Sequence, residues 1–564
     1  MTFLAGAYQA SNYLFAFVVM LGVLIFVHEL GHFLAAKACG IRVLKFSLGF
    51  GPPVGIGRFR MRWVRGHTEY VVSWIPLGGF VKMLGESTGS EEQSDVDIDP
   101  SEALSSKPLW QKLVVVFAGP VMNLLLPVLL FSVIFAAGLP QADSVVGEVE
   151  LGSPAAVAGL QPGDRITAID GEPVEWWKEI DKALKARSDG ELTLDYSRDG
   201  VASTARVSIA SRQRLDVFGD DLTVGWIGVY HRRPLAVVGL VDRSAPAYRA
   251  GLRSGDQVIG VAGESVEDWY QFEEAYSGSA VAGEVSIEFK RGGGDSDPVT
   301  LSIPALGDLA RLGVVRADVL IAQVSEDTPA AHAGIRSGDL IRSVDGVSLH
   351  SFDSFAETIR ASAGRTLDLV VARDAQEIEI PVAPALVPTD LVGIGVEVPR
   401  YQIGILGNNL LSLVGSTQIN QILNPLVSIP RATLLTVEIT QVFMRGLGKL
   451  ITGEVPSNQI AGPIGIAEIA GKALERGWMD YLQTLVLISI NLGILNLLPI
   501  PILDGGQAVV FIIEGVRRAP LSLRTRGFVQ QVGVTMLLMI MGLAFWNDIS
   551  RNWSRVIDWL TEGL

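Results

Sequence analysis

The stretch YLFAFVVMLGVLIFVHELGHFLAA, residues 13–36, decides how the chain reads. Tyr13–Val27 is charge-free, and apolar character resumes after Glu29 as far as Ala36. A bilayer core takes about 20 such residues. The run ends in His28-Glu29-Leu30-Gly31-His32, an HExxH pattern. On a helix, residues four apart share a face. His28 and His32 can therefore ligate one metal ion, with Glu29 beside a metal-bound water. Charged and polar groups inside a membrane helix are expensive and default to function. Two histidines merely satisfied by neighbouring helices would leave that expense without a return.

Outward from this run, Leu113–Pro140, Tyr481–Leu503 and Gly527–Trp546 are also charge-free and close to membrane length. The first run is not a secretory signal, because no basic segment precedes it and no small-residue cleavage site follows. Lys and Arg crowd the segment between the first two spans (Lys37, Arg42, Lys45, Arg58, Arg60, Arg62, Arg65, Lys107, Lys112) and the loop before the last (Arg517, Arg518, Arg524, Arg526). Positive loops face the cytoplasm, so the termini and the long middle, roughly 141–480, are expected outside. Glu86–Glu102 is an acidic, solvated insert. Tyr401–Ile429 is charge-free but diluted by amides, and Ala432–Leu450 holds Glu438 and Arg445. Both are expected as helices lying in the outer interface, with a spanning hairpin made of the two as the alternative, which would leave the topology elsewhere unchanged. The chain of 564 residues has a net charge of −15 and no offsetting basic patch, which argues against nucleic acid as a partner. Its one cysteine, Cys39, excludes an intrachain disulfide or a Cys-based zinc finger.

The middle carries one pattern three times: Ala158-Gly159-Leu160-Gln161-Pro162-Gly163-Asp164, Ala250-Gly251-Leu252-Arg253-Ser254-Gly255-Asp256 and Ala333-Gly334-Ile335-Arg336-Ser337-Gly338-Asp339. The copies lie 92 and 83 residues apart, long enough for each to be a small β-rich domain of its own. They resemble PDZ domains of the bacterial periplasmic type. That resemblance implies binding of extended peptides or free C-termini by strand addition. Steric blocking of access is the alternative for any one copy. The expected boundaries are 142–212, 213–306 and 310–388.

A catalytic zinc takes three protein ligands and leaves one position open. The other four histidines, His67, His231, His332 and His350, lie in the basic loop or the outer repeats. The third ligand is expected to be a carboxylate near another span. Glu438 lies on the outer side by charge bias. Asp504, in Asn496-Leu497-Leu498-Pro499-Ile500-Pro501-Ile502-Leu503-Asp504-Gly505-Gly506, lies at the cytoplasmic end of its span, as His28 does. Depth therefore selects Asp504. Asn491 and Asn496 are amides in an apolar span. They are candidates to hydrogen-bond an unwound substrate backbone, with helix–helix adhesion as the alternative. Thr68–Leu84, with Pro76-Leu77-Gly78-Gly79 at its centre, and Ser47–Pro52 before it, carry hairpin signals.

HExxH in the first span, with Asn-x-x-Pro-x-Pro-x-Leu-Asp-Gly in a late one, resembles the site-2 protease family of intramembrane metalloproteases. Gly119-Pro120-Val121-Met122-Asn123 resembles that family's GPxxN segment, and Gly462-Pro463-Ile464-Gly465-Ile466-Ala467 the segment before its third span. The resemblance covers nearly the whole chain. It implies Zn²⁺ held by His28, His32 and Asp504, Glu29 as the catalytic base, and hydrolysis of a peptide bond within a membrane helix. It also implies that the hairpin region is a sheet dipping into the membrane from the cytoplasmic side, with a soluble cytoplasmic hairpin as the alternative; an edge of that sheet, including Gly78 and Gly79, is then expected to pair with the unwound substrate. Outer PDZ domains would then admit only substrates already trimmed, such as single-span anti-sigma factors and remnant signal peptides. Three PDZ copies stand where such proteases typically carry two, and Gln507 stands where histidine is frequent.

The chain thus reads as a polytopic α-helical membrane protein with about four spans, a membrane-associated β-hairpin region and three extracytoplasmic PDZ-like domains, in a bacterial inner membrane. Its expected divisions are 1–40 (first span), 41–112 (β region and acidic loop), 113–140 (second span), the three repeats, 401–480 (interfacial helices), 481–510 (third span) and 527–547 (fourth span). The rival reading is a catalytically silent scaffold that binds peptides outside the membrane. Glu29 counts against it, because a binding protein has no use for a base between two metal ligands.

Overall fold

The computed structural model describes all residues except 1, 57–58, 86–98, 151, 217, 219, 280–282, 292–295, 350–351, 391–396, 408–410, 414–416, 455–461 and 552–564. Most of the acidic insert and His350 therefore lie outside the described residues. The chain divides into two compact units: residues 1–139, 393–396 and 420–564, and residues 140–392 and 397–419.

The first unit is helical. Its helices are α1 (Thr2–Ala38), α2 (Leu109–Ala137), α3 (Pro425–Thr452), α4 (Pro463–Arg476), α5 (Trp478–Leu497), α6 (Asp504–Arg517) and α7 (Leu523–Arg551). Among the described residues, five of them (α1, α2, α3, α5 and α7) are long and apolar enough to cross a membrane, where about four spans were expected. The addition is α3. It packs on α2 and α5, burying Ala432 and Thr436, and exposes Arg431, Glu438 and Arg445 at heptad spacing along one stripe. α2 buries Val115, Val116, Gly119, Pro120, Asn123, Leu126, Pro127, Phe131 and Ile134, one face at helical spacing.

The expected third span, 481–510, is not one helix. α5 stops at Leu497, and α6 starts afresh at Asp504. Pro499 pushes Leu498 into extended backbone (φ −64°, ψ 147°), and neither Pro499 nor Pro501 has an N–H to give to a helix. The turn between them is tight. A Cβ on Gly505 would lie 2.3 Å from the Leu497 and Leu498 carbonyl oxygens, and one on Gly506 2.1 Å from that of Ile500. Only glycine fits either position.

A small antiparallel sheet packs against α1. Its strands are β1 (Val43–Pro53), β2 (Arg62–Arg65) and β3 (Thr68–Met83). The first half of β3 pairs with both β1 and β2. The second half folds back to pair with β1 again, at Leu48↔Gly79, Ser47↔Phe80 and Val43↔Met83. β1 is thus flanked on both sides by one strand, and Gly79–Met83 runs along an edge.

The second unit holds three modules, each with a four-stranded antiparallel sheet and one helix of nine or ten residues (Trp177–Lys185, Trp269–Gly278, Phe352–Ala361). Each closes with a strand that comes late in sequence: Val229–Tyr230 on Glu148–Val149, Val314–Arg316 on Val238–Leu240, and Ile405–Gly407 on Ile321–Val324. The buried clusters follow suit, running over 146–229, 319–403 and, apart from Ala375, 236–314. The expected ends at 212, 306 and 388 therefore fall short, because the closing strands carry no Gly-Asp marker. The described residues of 401–420 are not interfacial helix either: they are mostly short strands, and Ile403 is apolar because it sits in the third module's core rather than against lipid.

Each module is locked alike. Asp164, Asp256 and Asp339 are buried and accept a backbone N–H three residues upstream. Each also accepts from an arginine 34 or 35 residues on (Arg198, Arg291, Arg373), whose other nitrogen donates to the carbonyl of Gly159, Gly251 or Gly334. The repeated Gly-Asp is the acceptor half of this lock.

Candidate metal centre

α1 delivers His28 and His32 to one face, and the break before α6 delivers Asp504 to meet them. His28 Nε2 lies 3.1 Å from Asp504 Oδ2, His32 Nε2 3.5 Å from Asp504 Oδ1, and the two Nε2 atoms 3.2 Å from each other. Donor atoms ~2.0–2.1 Å from a tetrahedral zinc ion stand ~3.3 Å apart. The three separations match that figure, and two imidazoles with a carboxylate form a familiar catalytic zinc donor set. His32 Nδ1 lies 2.8 Å from the Val115 carbonyl oxygen, so that nitrogen carries the proton and Nε2 keeps its lone pair for a ligand. All three side chains are largely buried, between 12% and 16% exposed.

The backbones come close here for a reason written in glycine. A Cβ on Gly119 of α2 would lie 2.3 Å from His32 Nε2, and one on Gly31 of α1 2.3 Å from the Ala118 carbonyl oxygen. Small residues let membrane helices cross at this distance. On the other side, Gly79 of β3 abuts Glu29: a Cβ there would meet Glu29 Cγ at 2.9 Å. Gly78 has φ +137° and faces the Phe50 ring, so it too admits no side chain.

The cluster contains neither asparagine of α5. Asn491 and Asn496 are partly buried there, and the Asn491 Oδ1 is buried without a hydrogen-bond partner among the described residues. The rival carboxylate, Glu438, is exposed on α3, and His67 is exposed on the turn before β3. Sequence reasoning did not anticipate what α2 contributes: the Val115 carbonyl, the clearance at Gly119, and Asn123 beside His28. The signal was the i, i+4 spacing of Gly119 and Asn123, which puts both on one helix face.

Fold and cluster together define a multi-pass membrane metallopeptidase. The chain belongs to peptidase family M50, the site-2 proteases, whose family profile matches residues 16–540. It is 31% identical over 542 residues to the regulator of sigma-E protease RseP of Escherichia coli strain K12, covering 95% of this chain and 98% of that one. Protease RseP of Yersinia pestis is 30% identical over 540 residues, with 95% and 98% covered. A putative zinc metalloprotease of Neisseria meningitidis serogroup A is 27% identical over 548 residues, with 95% and 99% covered. A solved PDZ-domain protein from Parabacteroides distasonis covers 45% of this chain and 95% of its own at 10% identity, with a TM-score of 0.14 that carries no argument.

Proposed function

We propose that the protein is an intramembrane zinc endopeptidase of the bacterial inner membrane that cuts the spanning segments of single-span proteins already trimmed outside the bilayer. His28, His32 and Asp504 hold the ion. One observation carries the reading: three donor atoms converge at zinc spacing, next to a glutamate and at the break in a membrane helix. When bound, zinc supplies Lewis acidity that lowers the pKa of a water to ~7 and polarises the scissile carbonyl. Glu29 takes the proton of the attacking water. It returns that proton to the leaving amine nitrogen as the C–N bond breaks.

A helical substrate must unwind to be cut, and its freed backbone groups then need partners. The Gly79–Met83 edge offers a strand to pair with. Gly78 and Gly79 keep that edge clear of side chains beside Glu29. Asn491 and Asn496 bind the substrate backbone from α5, and Asn491 Oδ1 is a buried acceptor without a partner among the described residues.

The three modules act as outer PDZ-type filters. The third has a groove of about 170 Å³ between its helix and the segment 400–405, lined by Phe355, Ile359 and Ile403 among others. Arg360 and Arg400 also line it, and burial together with the neighbouring Arg360 charge lowers the Arg400 pKa. Two cations over an apolar floor suit an extended peptide that ends in a carboxylate. Substrates of the anti-sigma-factor type are supported by the sigma-E regulator names of the relatives, and remnant signal peptides share their single-span form. The modules lie in the periplasm and the metal centre toward the cytoplasmic side, by the charge bias of the loops.

The test is Glu29→Gln in purified full-length protein with a single-span substrate. The variant should keep about one equivalent of zinc and lose cleavage ~10²–10⁴-fold. Cleavage that survives the substitution rejects Glu29 as the base.

A further inference from the structure

Asn123 is fully buried in α2, and its carboxamide faces the back of the His28 ring. Its Nδ2 lies 3.2 Å from His28 Nδ1, while its Oδ1 is buried with no hydrogen-bond partner among the described residues. The Asn123 backbone carbonyl accepts from Ser489 Oγ at 2.7 Å, so α1, α2 and α5 meet at this residue. The two ends of a carboxamide have the same shape, and the hydrogen bonds decide which is which.

If His28 offers Nε2 to a metal, its Nδ1 must carry the proton. An amide nitrogen facing it would then set donor against donor. Turning the carboxamide by half a rotation puts the orphaned Oδ1 opposite Nδ1–H and replaces the clash of donors with a hydrogen bond. The opposite orientation suits only the tautomer protonated at Nε2, which cannot ligate through that nitrogen. We infer that Asn123 is a positioning residue for the metal centre: its Oδ1 accepts from His28 Nδ1–H and holds the ring in the tautomer that ligates through Nε2. α2 then braces both histidines, His32 through the Val115 carbonyl and His28 through Asn123, eight residues apart on one buried face. This inference rests on the ligand roles proposed above.

The experiment measures zinc affinity by chelator competition on full-length protein in detergent, alongside the melting of the metal-free form. Asn123→Leu keeps the shape and removes the acceptor, whereas Asn123→Asp keeps an acceptor at the same place. Asn123→Ala replaces the leucine variant if the latter melts early without metal. The expected result is a loss of zinc affinity of ~10–100-fold for the variant without an acceptor, with metal-free melting unchanged. Asn123→Asp should stay within ~threefold of wild type, since a carboxylate partner serves as well. Unchanged affinity without the acceptor overturns the inference, and so does an equal loss in the aspartate variant, which would mean a packing role. His28→Ala separates the two levels: if it leaves zinc affinity intact, the ligand assignment itself fails.

Discussion

A single methyl group tests the centre at the residue scale. Gly→Ala inside a helix ordinarily stabilises by about 1 kcal/mol. Gly22 and Gly119 both sit in long helices, but a Cβ on Gly22 meets nothing within 4 Å, whereas one on Gly119 lands 2.3 Å from His32 Nε2. Gly119→Ala should therefore displace the His32 ring and cost zinc affinity at least ~10-fold, whereas Gly22→Ala should leave it unchanged. Chelator competition on the two variants reads the difference, and equal affinities would mean that α2 yields at this crossing. Much at this scale is legible in the sequence. His28, Glu29 and His32 announce themselves because polar groups in an apolar helix are costly, and Asp504 stands beside a pair of prolines. Asn123 and Gly119 are harder to read, because an amide or a glycine in a membrane helix serves packing as readily as chemistry.

Elements show where a linear reading loses information. The broken α5–α6 junction follows from local chemistry, two prolines and two glycines, and the prolines announce a break that the uninterrupted apolar run alone would hide. The closing strand of each module is two or three residues long and pairs with a strand some 80 residues earlier. No local pattern encodes such a partner. The arginine half of each Asp–Arg lock was missed for the same reason. Between the second and third modules, Asp318 is buried beside Arg316, and burial pushes its carboxyl up to about 6 even though Arg316 pulls it down. A folded-state pKa above the unfolded value of ~3.9 means the term is fully present below about pH 4 and is lost as pH rises through 6. Melting of the wild-type protein compared with Asp318→Asn should show the wild-type advantage shrinking between pH 4 and 6.5. A difference that does not change with pH would place Asp318 in water rather than in the protein.

At the scale of the whole molecule, two kinds of signal coexist in one chain. Apolar length marks the helices of the first unit, and a repeated Gly-Asp turn marks the modules of the second. Both are local and additive, so the order of parts is readable from end to end. The membrane-length helix α3 reads equally as span or interfacial helix, because its charged stripe at Arg431, Glu438 and Arg445 dilutes its hydropathy. The proposed chemistry depends on a non-local fact: the side chains of residues 28 and 504, nearly the full chain apart in sequence, lie 3.1 Å from each other. X-ray absorption at the zinc edge of the purified, zinc-loaded protein addresses this directly. The account predicts one zinc per chain, a nitrogen and oxygen shell at ~2.0–2.1 Å with the scattering of two imidazoles, and loss of the ion in Asp504→Asn. A sulfur neighbour at ~2.3 Å, or an unaltered spectrum and stoichiometry in Asp504→Asn, would contradict it.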